Sequence, residues 1–306
     1  MFNSLKIAAR FLRFYLKAKT KFNVHSPFVY DFVTEVLEDD RQFYVFKEAE
    51  ILRGQLLSSK DRVDVVDLGA GSHAIGKKKT RAVSSIARTA LSPDFQCQWL
   101  FRIANVYKPL HIIELGTSLG VSTLYMTEGA TRQAKVLTLE GSNQIAQVAS
   151  RNFDWFYETF EKTGLRHTNP EVLISGNYQA FLNKNTKRGN IKIIEGNFDD
   201  TLQQALNQLV TLDLAFIDGN HQYAPTMDYF ENCLAHTHDN SILVFDDIHW
   251  SEDMERAWAD IKAHDKVRCS IDLFWCGIVF FRNENKEKEH FDLIKAAWKP
   301  LNMGFF

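Results

Sequence analysis

The side chains best suited to acid–base or metal chemistry lie in two short runs of this 306-residue chain. Asp218-Gly-Asn-His221 follows the apolar run Leu212–Ile217, and Asp246-Asp247-Ile-His249 follows Ser241–Phe245. In an open α/β sheet, ligands collect outside the carboxyl ends of the strands, so these two ends should converge on one crevice. Carboxylates crowded there repel unless something positive sits among them. A hard cation such as Mg2+, held through Asp218, Asp246 and Asp247 with several waters retained, would answer that need. The plainer alternative is that Asp246 or Asp247 caps the helix that follows. His221 and His249 carry rings that titrate near neutral pH, so either can act as a base or simply hydrogen-bond a carboxylate.

A second group belongs to ligand binding. In Ile112-Ile-Glu114-Leu-Gly116-Thr-Ser-Leu-Gly120-Val-Ser-Thr-Leu-Tyr-Met126, an apolar run ends at an acid and a glycine turn, and a helix pattern follows at once. Glycines let the backbone approach a ligand, and the free N–H groups of a helix start offer donors. Glu140 ends the next strand, where a carboxylate can accept two hydrogen bonds from ribose hydroxyls. Asn197, Phe198 and Asp199 could border an adenine ring; equally, this turn could be a helix start with Asp199 or Asp200 as its cap. Asp67-Leu-Gly-Ala-Gly71 imitates the glycine turn. However, the polar and basic segment from His73 to Arg81 follows it, and no second strand ending in an acid follows at the right distance.

These residues need elements to position them. From residue 111 onward, strand and helix patterns alternate, which predicts a parallel sheet covered by helices. The predicted strands are His111–Leu115, Lys135–Leu139, Ile191–Glu195, Leu212–Ile217 and Ser241–Phe245, with a closing antiparallel hairpin over Cys269–Phe281. Residues 283–290 read as a charged turn and 291–306 as a short aromatic tail. Residues 1–94 form a helical N-terminal extension with a candidate lid at 67–82. The sheet domain runs over 95–283 with an insertion at about 165–190, and 284–306 is the tail. Residues 1–22 read as a basic amphipathic helix: Leu5, Ala8, Ala9, Leu12, Tyr15 and Leu16 on one face, Lys6, Arg10, Arg13 and Lys17 on the other. This fits an arm packed on the domain with its basic face in solvent. It also fits a weak contact with an anionic membrane surface.

Composition sets bounds. The chain is 45% hydrophobic and 24% charged, as in ordinary soluble globular proteins. A net charge of −2 gives no general attraction to nucleic acid, so no nucleic-acid partner is expected. Cys97, Cys233, Cys269 and Cys276 form no CxxC pair, which suggests reduced thiols and a cytoplasmic setting. No apolar run reaches the ~20 residues of a membrane-spanning helix.

Taken in order, Glu114-Leu-Gly-Thr-Ser-Leu-Gly120, Glu140, Phe216-Ile-Asp-Gly-Asn-His221 and Val244-Phe-Asp-Asp247 resemble the class I S-adenosylmethionine-dependent methyltransferases. More narrowly, the chain is similar over about residues 95–282 to bacterial small-molecule O-methyltransferases of the catechol and macrolide-sugar kind. The resemblance implies a Rossmann-like, doubly wound seven-stranded α/β sheet with only the last strand antiparallel. It implies S-adenosylmethionine as cofactor, with Glu114, Gly116 and Ser118 around the methionine part and Glu140 on the ribose. Thr117, Gly120, Gly141, Asn197, Phe198 and Asp218 complete the expected cofactor contacts. Where the family uses metal, Asp218, Asp246 and Asp247 would hold Mg2+. The catechol type has a lysine base three residues after the strand-end acid; this chain has His221, which leaves Asp218, His221 and His249 as the catalytic candidates. The implied reaction methylates a hydroxyl of a small-molecule acceptor. A nitrogen or protein acceptor, a nicotinamide-dependent oxidoreductase and a non-catalytic cofactor-binding protein stand as alternatives. A second copy of the chain stands as a candidate partner.

Overall fold

The computed structural model describes residues 2–65, 79–160 and 190–299. The chain divides into two compact units: Arg41–Asn207, and Met1–Asp40 together with Gln208–Phe306. Most of the expected lid and insertion (67–78 and 165–189), the imitation glycine turn and the last residues of the tail lie outside the described residues. Among the described residues, a run of three parallel strands lies in the first unit and a run of five hydrogen-bonded strands in the second.

In the unit Arg41–Asn207, helix α3 (Tyr44–Ser58) precedes a hairpin of β1 (Arg62–Val65) and β2 (Lys79–Ala82), which pair antiparallel. Residues 83–107 form two helices, α4 (Val83–Ala90) and α5 (Asp94–Tyr107), split where Pro93 cannot continue a helix. The α/β alternation then follows: β3 (His111–Leu115), α6 (Val121–Gly129), β4 (Lys135–Glu140), α7 (Asn143–Phe160), β5 (Ile191–Glu195) and α8 (Phe198–Leu209). Strands β3, β4 and β5 pair in parallel, with Glu114 beside Thr138 and Glu140 beside Glu195. Aromatic rings join the helices: Phe46 lies 5.0 Å from Phe101 and 5.6 Å from Tyr125, centroid to centroid. Such pairs add to the area they bury.

In the other unit, β6 (Leu212–Ile217) and β7 (Thr237–Asp246) pair in parallel, with α9 (Tyr223–Leu234) between them in sequence. Helix α10 (Glu252–Ala263) starts at Ser251, whose hydroxyl accepts the Met254 N–H. Strand β8 (Cys269–Asp272) and β9 (Cys276–Phe280) form the expected hairpin; β9 pairs antiparallel with both β7 and β8 and alone runs against its neighbours. A further strand, β10 (Glu289–Asp292), pairs in parallel with β8 where a charged turn and tail were expected. Four residues with one apolar side chain give almost no alternation to read. The strand exists because its backbone finds partners, continuing with Leu293 N–H to Asp272 O at 2.9 Å and Ile294 N–H to Lys19 O at 3.0 Å.

Helix α1 (Phe2–Lys17) and α2 (Pro27–Phe32) belong to this second unit. The α1 orientation corrects the sequence reading. Ile7, Phe11, Phe14 and Tyr15 pack inward, joining Phe274, Trp275 and Ile294. The basic side does not simply face solvent: Lys6 meets Glu252 at 3.1 Å and Arg10 meets Glu255 at 2.9 Å. The leucines assigned to the buried face point away. Phe11 and Phe14 win that face because a pocket of rings around Phe274 (4.9 and 5.5 Å) offers them more apolar contact than leucine would gain.

Candidate active site

The glycine turn after β3 is built as the strand–turn–helix pattern requires. Gly116 and Gly120 have φ of 103° and 86°, in the left-handed region. A Cβ on Gly120 would lie 2.5 Å from a Phe153 ring carbon, so both the backbone and the space demand glycine there. The Gly116 and Thr117 N–H groups both donate to the Leu139 carbonyl at 3.0 Å, and the Ser118 N–H donates to Glu140 Oε2 at 2.9 Å. Glu140 Oε1 accepts the Ser142 N–H at 2.9 Å. Glu140 therefore ties the turn after β3 to the turn after β4 while each oxygen keeps a further acceptor position. Burial raises its pKa, against the pull of the Ser142, Ser118 and Gly141 N–H groups.

Two expected ligand contacts turn out to be internal. Glu114 is 0% exposed, and its carboxylate accepts the hydroxyls of Ser122 (2.6 Å), Thr123 and Thr138 (2.6 Å). Burial pushes its pKa up to about 7, although those three hydroxyls pull it back. Glu114 thus fastens β3 to β4 and to the first turn of α6 instead of facing a methionine group. Thr117 is buried too, its hydroxyl 2.6 Å from that of Thr138. The Ser/Thr residues eight, nine and twenty-four positions after Glu114 are the signal sequence reading passed over.

Ser118 is the opposite case. Its backbone is left-handed at φ 47°, and its Oγ is buried with no hydrogen-bond partner among the described residues. A buried hydroxyl without a bond costs stability of about 1–3 kcal/mol, and a ligand acceptor or donor beside it removes that cost. Ser118→Ala should therefore leave thermal stability unchanged or slightly raised while weakening ligand affinity several-fold; melts and calorimetry on one preparation separate the two effects. Asn197 is exposed, and its carbonyl accepts Asp200 N–H (3.1 Å) and Thr201 N–H (3.0 Å), so it opens α8. Phe198 is half-buried beside it. Both roles weighed for this turn are compatible with that geometry.

In the second unit, the ends of β6 and β7 do meet. His221 Nε2 lies 3.6 Å from Asp218 Oδ1 and 4.0 Å from Asp247 Oδ2. Burial lowers the His221 pKa, with Asp247 pulling the other way, and burial likewise raises Asp247. Asn220, His221 and Asp247 have φ of 66°, 40° and 53°. Each such residue costs about 1–3 kcal/mol, and such strain concentrates at functional sites. It is held here by bonds from His221 N–H to Gly219 O (2.9 Å), Asp247 N–H to Trp275 O (2.8 Å) and Asn220 Nδ2 to Tyr229 Oη (3.3 Å).

Among the described residues, no three His, Cys, Asp or Glu side chains form a group able to hold a metal. Asp246 ends β7 buried, whereas Asp247 leaves the strand through its left-handed turn toward His221. Asp218 and Asp247 thus approach the same His221 nitrogen, at 3.6 and 4.0 Å.

Of the two roles weighed for His249, the geometry matches the second, a histidine that bonds carboxylates. Its Nδ1 lies 3.1 Å from Glu255 Oε1 and its Nε2 3.0 Å from Asp272 Oδ2, while the ring stacks on Phe274 at 5.1 Å. Both nitrogens are committed to carboxylates, an arrangement that suits the imidazolium. Burial by itself lowers its pKa, but Asp272 and then Glu255 more than offset it, and the net direction is up. A folded pKa above the ordinary histidine value of about 6.5 means the contribution is complete below that value and is lost as pH rises through the folded one. Stability should therefore fall across that window, and His249→Gln should flatten the fall. Equal pH dependence in melts of the two proteins would contradict the clamp.

Comparison with known proteins follows from this geometry. Residues 113–248 match the family described as a methyltransferase domain, the stretch that runs from β3 to just past Asp247. An O-methyltransferase of Aspergillus hancockii is 41% identical over 59 residues, 19% of this chain and 23% of that protein, so the match spans less than a quarter of its length. Among solved structures, an O-methyltransferase from Bacillus cereus in complex with SAH has a TM-score of 0.49 at 18% identity, covering 82% of this chain and 96% of that one. An SAH-bound methyltransferase of Podospora anserina has a TM-score of 0.48 at 17% identity, covering 79% and 89%.

Proposed function

We propose that this chain, whose residues 113–248 match the methyltransferase-domain family, transfers the methyl group of S-adenosylmethionine to a hydroxyl of a small molecule. The observation that carries the cofactor assignment is the pairing of Glu140, which keeps acceptor positions while bridging two turns, with the buried and unbonded Ser118 hydroxyl. Glu140 would take the ribose hydroxyls, Ser118 and the backbone of Gly116 and Gly120 the methionine part, and Gly141, Asn197 and Phe198 the nucleoside edge. When bound, S-adenosylmethionine supplies a methyl group already made electrophilic by its sulfonium.

The chain's own task is then to present a nucleophile and remove its proton. His221 fits the proton acceptor: burial lowers its pKa, which favours the neutral ring that a base requires. Asp218 and Asp247 beside it stabilise the charge the ring acquires as it takes that proton.

Isothermal titration calorimetry with S-adenosylmethionine and, separately, NADH tests the cofactor. Micromolar binding of the first and none of the second is expected. Failure to bind S-adenosylmethionine would overturn the proposal.

A further inference from the structure

Helix α1 has two apolar sides, and the fold uses one. At 3.6 residues per turn, Ile7, Phe11, Phe14, Tyr15 and Ala18 fall together, and this is the side packed against the rings of the same unit. Leu5, Leu12 and Leu16 fall on the other side and are 67%, 58% and 71% exposed, with Ala8 and Ala9 exposed between them. Surface leucines scattered singly are normal, but three spaced i, i+7 and i+11 along one helix make a continuous stripe.

The helix cannot roll to bury that stripe. On its flank, Arg10 bonds Glu255 and the carbonyls of His249 (3.2 Å) and Trp250 (3.1 Å), and Lys6 bonds Glu252. At its carboxyl end, Lys299 Nζ donates to the Tyr15 carbonyl at 2.8 Å and the Ala18 carbonyl at 2.7 Å, which suits the negative end of the helix. The stripe is therefore presented on a rigid support and needs no ordering when it meets a partner.

Charge identifies the partner. No aspartate or glutamate occurs before Asp31, and Arg13 and Lys17 stand exposed one row away from the leucines, with Lys19 following. A second copy docked face to face through this stripe would bring like charges together. A surface that is apolar below and anionic above suits the stripe and its cations at once. We propose that α1 docks this protein onto anionic lipid bilayers, with Leu5, Leu12 and Leu16 entering the interface and Arg13 and Lys17 meeting the headgroups.

Vesicle sedimentation of the full chain tests this. Vesicles of phosphatidylglycerol and phosphatidylcholine should pull down the wild-type protein, and pure phosphatidylcholine should retain at least tenfold less. Leu12→Glu with Leu16→Glu should cut binding to the anionic vesicles at least tenfold, as should Arg13→Glu with Lys17→Glu. Both variants should keep wild-type S-adenosylmethionine binding, and the leucine variant should keep the wild-type melting temperature, because neither of its changed side chains is buried. The single variant Leu5→Glu repeats the test should the double one misfold. Equal binding to neutral vesicles, or none to either kind, would overturn the proposal. So would a wild-type dimer in sedimentation velocity that Leu12→Glu converts to monomer, since a second copy would then cover the stripe.

Discussion

Replacing His221 by glutamine is expected to lower kcat by about 10²- to 10⁴-fold, the usual worth of a positioned general base, with S-adenosylmethionine affinity nearly unchanged. Methyl transfer to a panel of phenolic and sugar hydroxyls would measure the first, and calorimetry the second. The pH profile carries the sharper information. His221 is held below the ordinary histidine pKa, chiefly by burial, so the wild-type rate should be flat at neutral pH and fall only at more acidic values. His221→Gln should lose that acid limb. Asp247 raises the His221 pKa, so Asp247→Asn should move the limb further toward acid. A purely structural histidine would shift the melting temperature and leave the limb in place. Retention of full activity in His221→Gln would remove it from the mechanism.

Glu140→Ala is expected to weaken S-adenosylmethionine binding by at least about 10²-fold. Hydrogen bonds to a charged acceptor contribute about 1.5–3 kcal/mol each, and two ribose hydroxyls would be lost together. The same change also leaves the Ser118 and Ser142 N–H groups without their carboxylate. Glu140→Ala should therefore melt earlier than wild type, unlike Ser118→Ala, which removes a hydroxyl that bonds nothing among the described residues. Glu140→Gln offers an amide donor where one of those N–H groups expects an acceptor, and should fall between. An alanine variant that binds the cofactor with wild-type affinity would place the ribose elsewhere.

The two variants test different links of one chain of cause. Glu140 acts through geometry already present in the protein, since its bonds shape the turns whether or not a ligand is bound. Ser118 does not, and its hydroxyl has a use only when something else arrives. The left-handed backbone at Asn220, His221 and Asp247 belongs with Ser118: strain of about 1–3 kcal/mol per residue is retained where it aims a side chain.

Local pattern was enough to identify the α/β alternation from His111 onward, the glycine turn before α6, the β8–β9 hairpin and the acids at the ends of β6 and β7. Each is written within a few neighbouring residues, as an apolar run, a glycine where φ must be positive, or a change of period from two to 3.6. What a side chain bonds to is not local. Glu114 was legible as a strand-end acid, but its three hydroxyl partners come from α6 and β4. His249 was legible as a histidine beside acids, yet Asp272 on the next strand and Glu255 on α10 turned it from a base into a clamp. The amphipathic pattern of α1 was plain, but only the ring pocket around Phe274 chose which apolar side went in and left Leu5, Leu12 and Leu16 outside. Strand β10 was invisible because its stability lies in backbone bonds to β8 and Lys19 and not in its own residues. By itself the sequence determined where the turns and strand ends fall and which chemical groups stand there. The tertiary structure decided which of those groups are consumed in holding the fold, as Glu114 and His249 are, because their partners come from other elements.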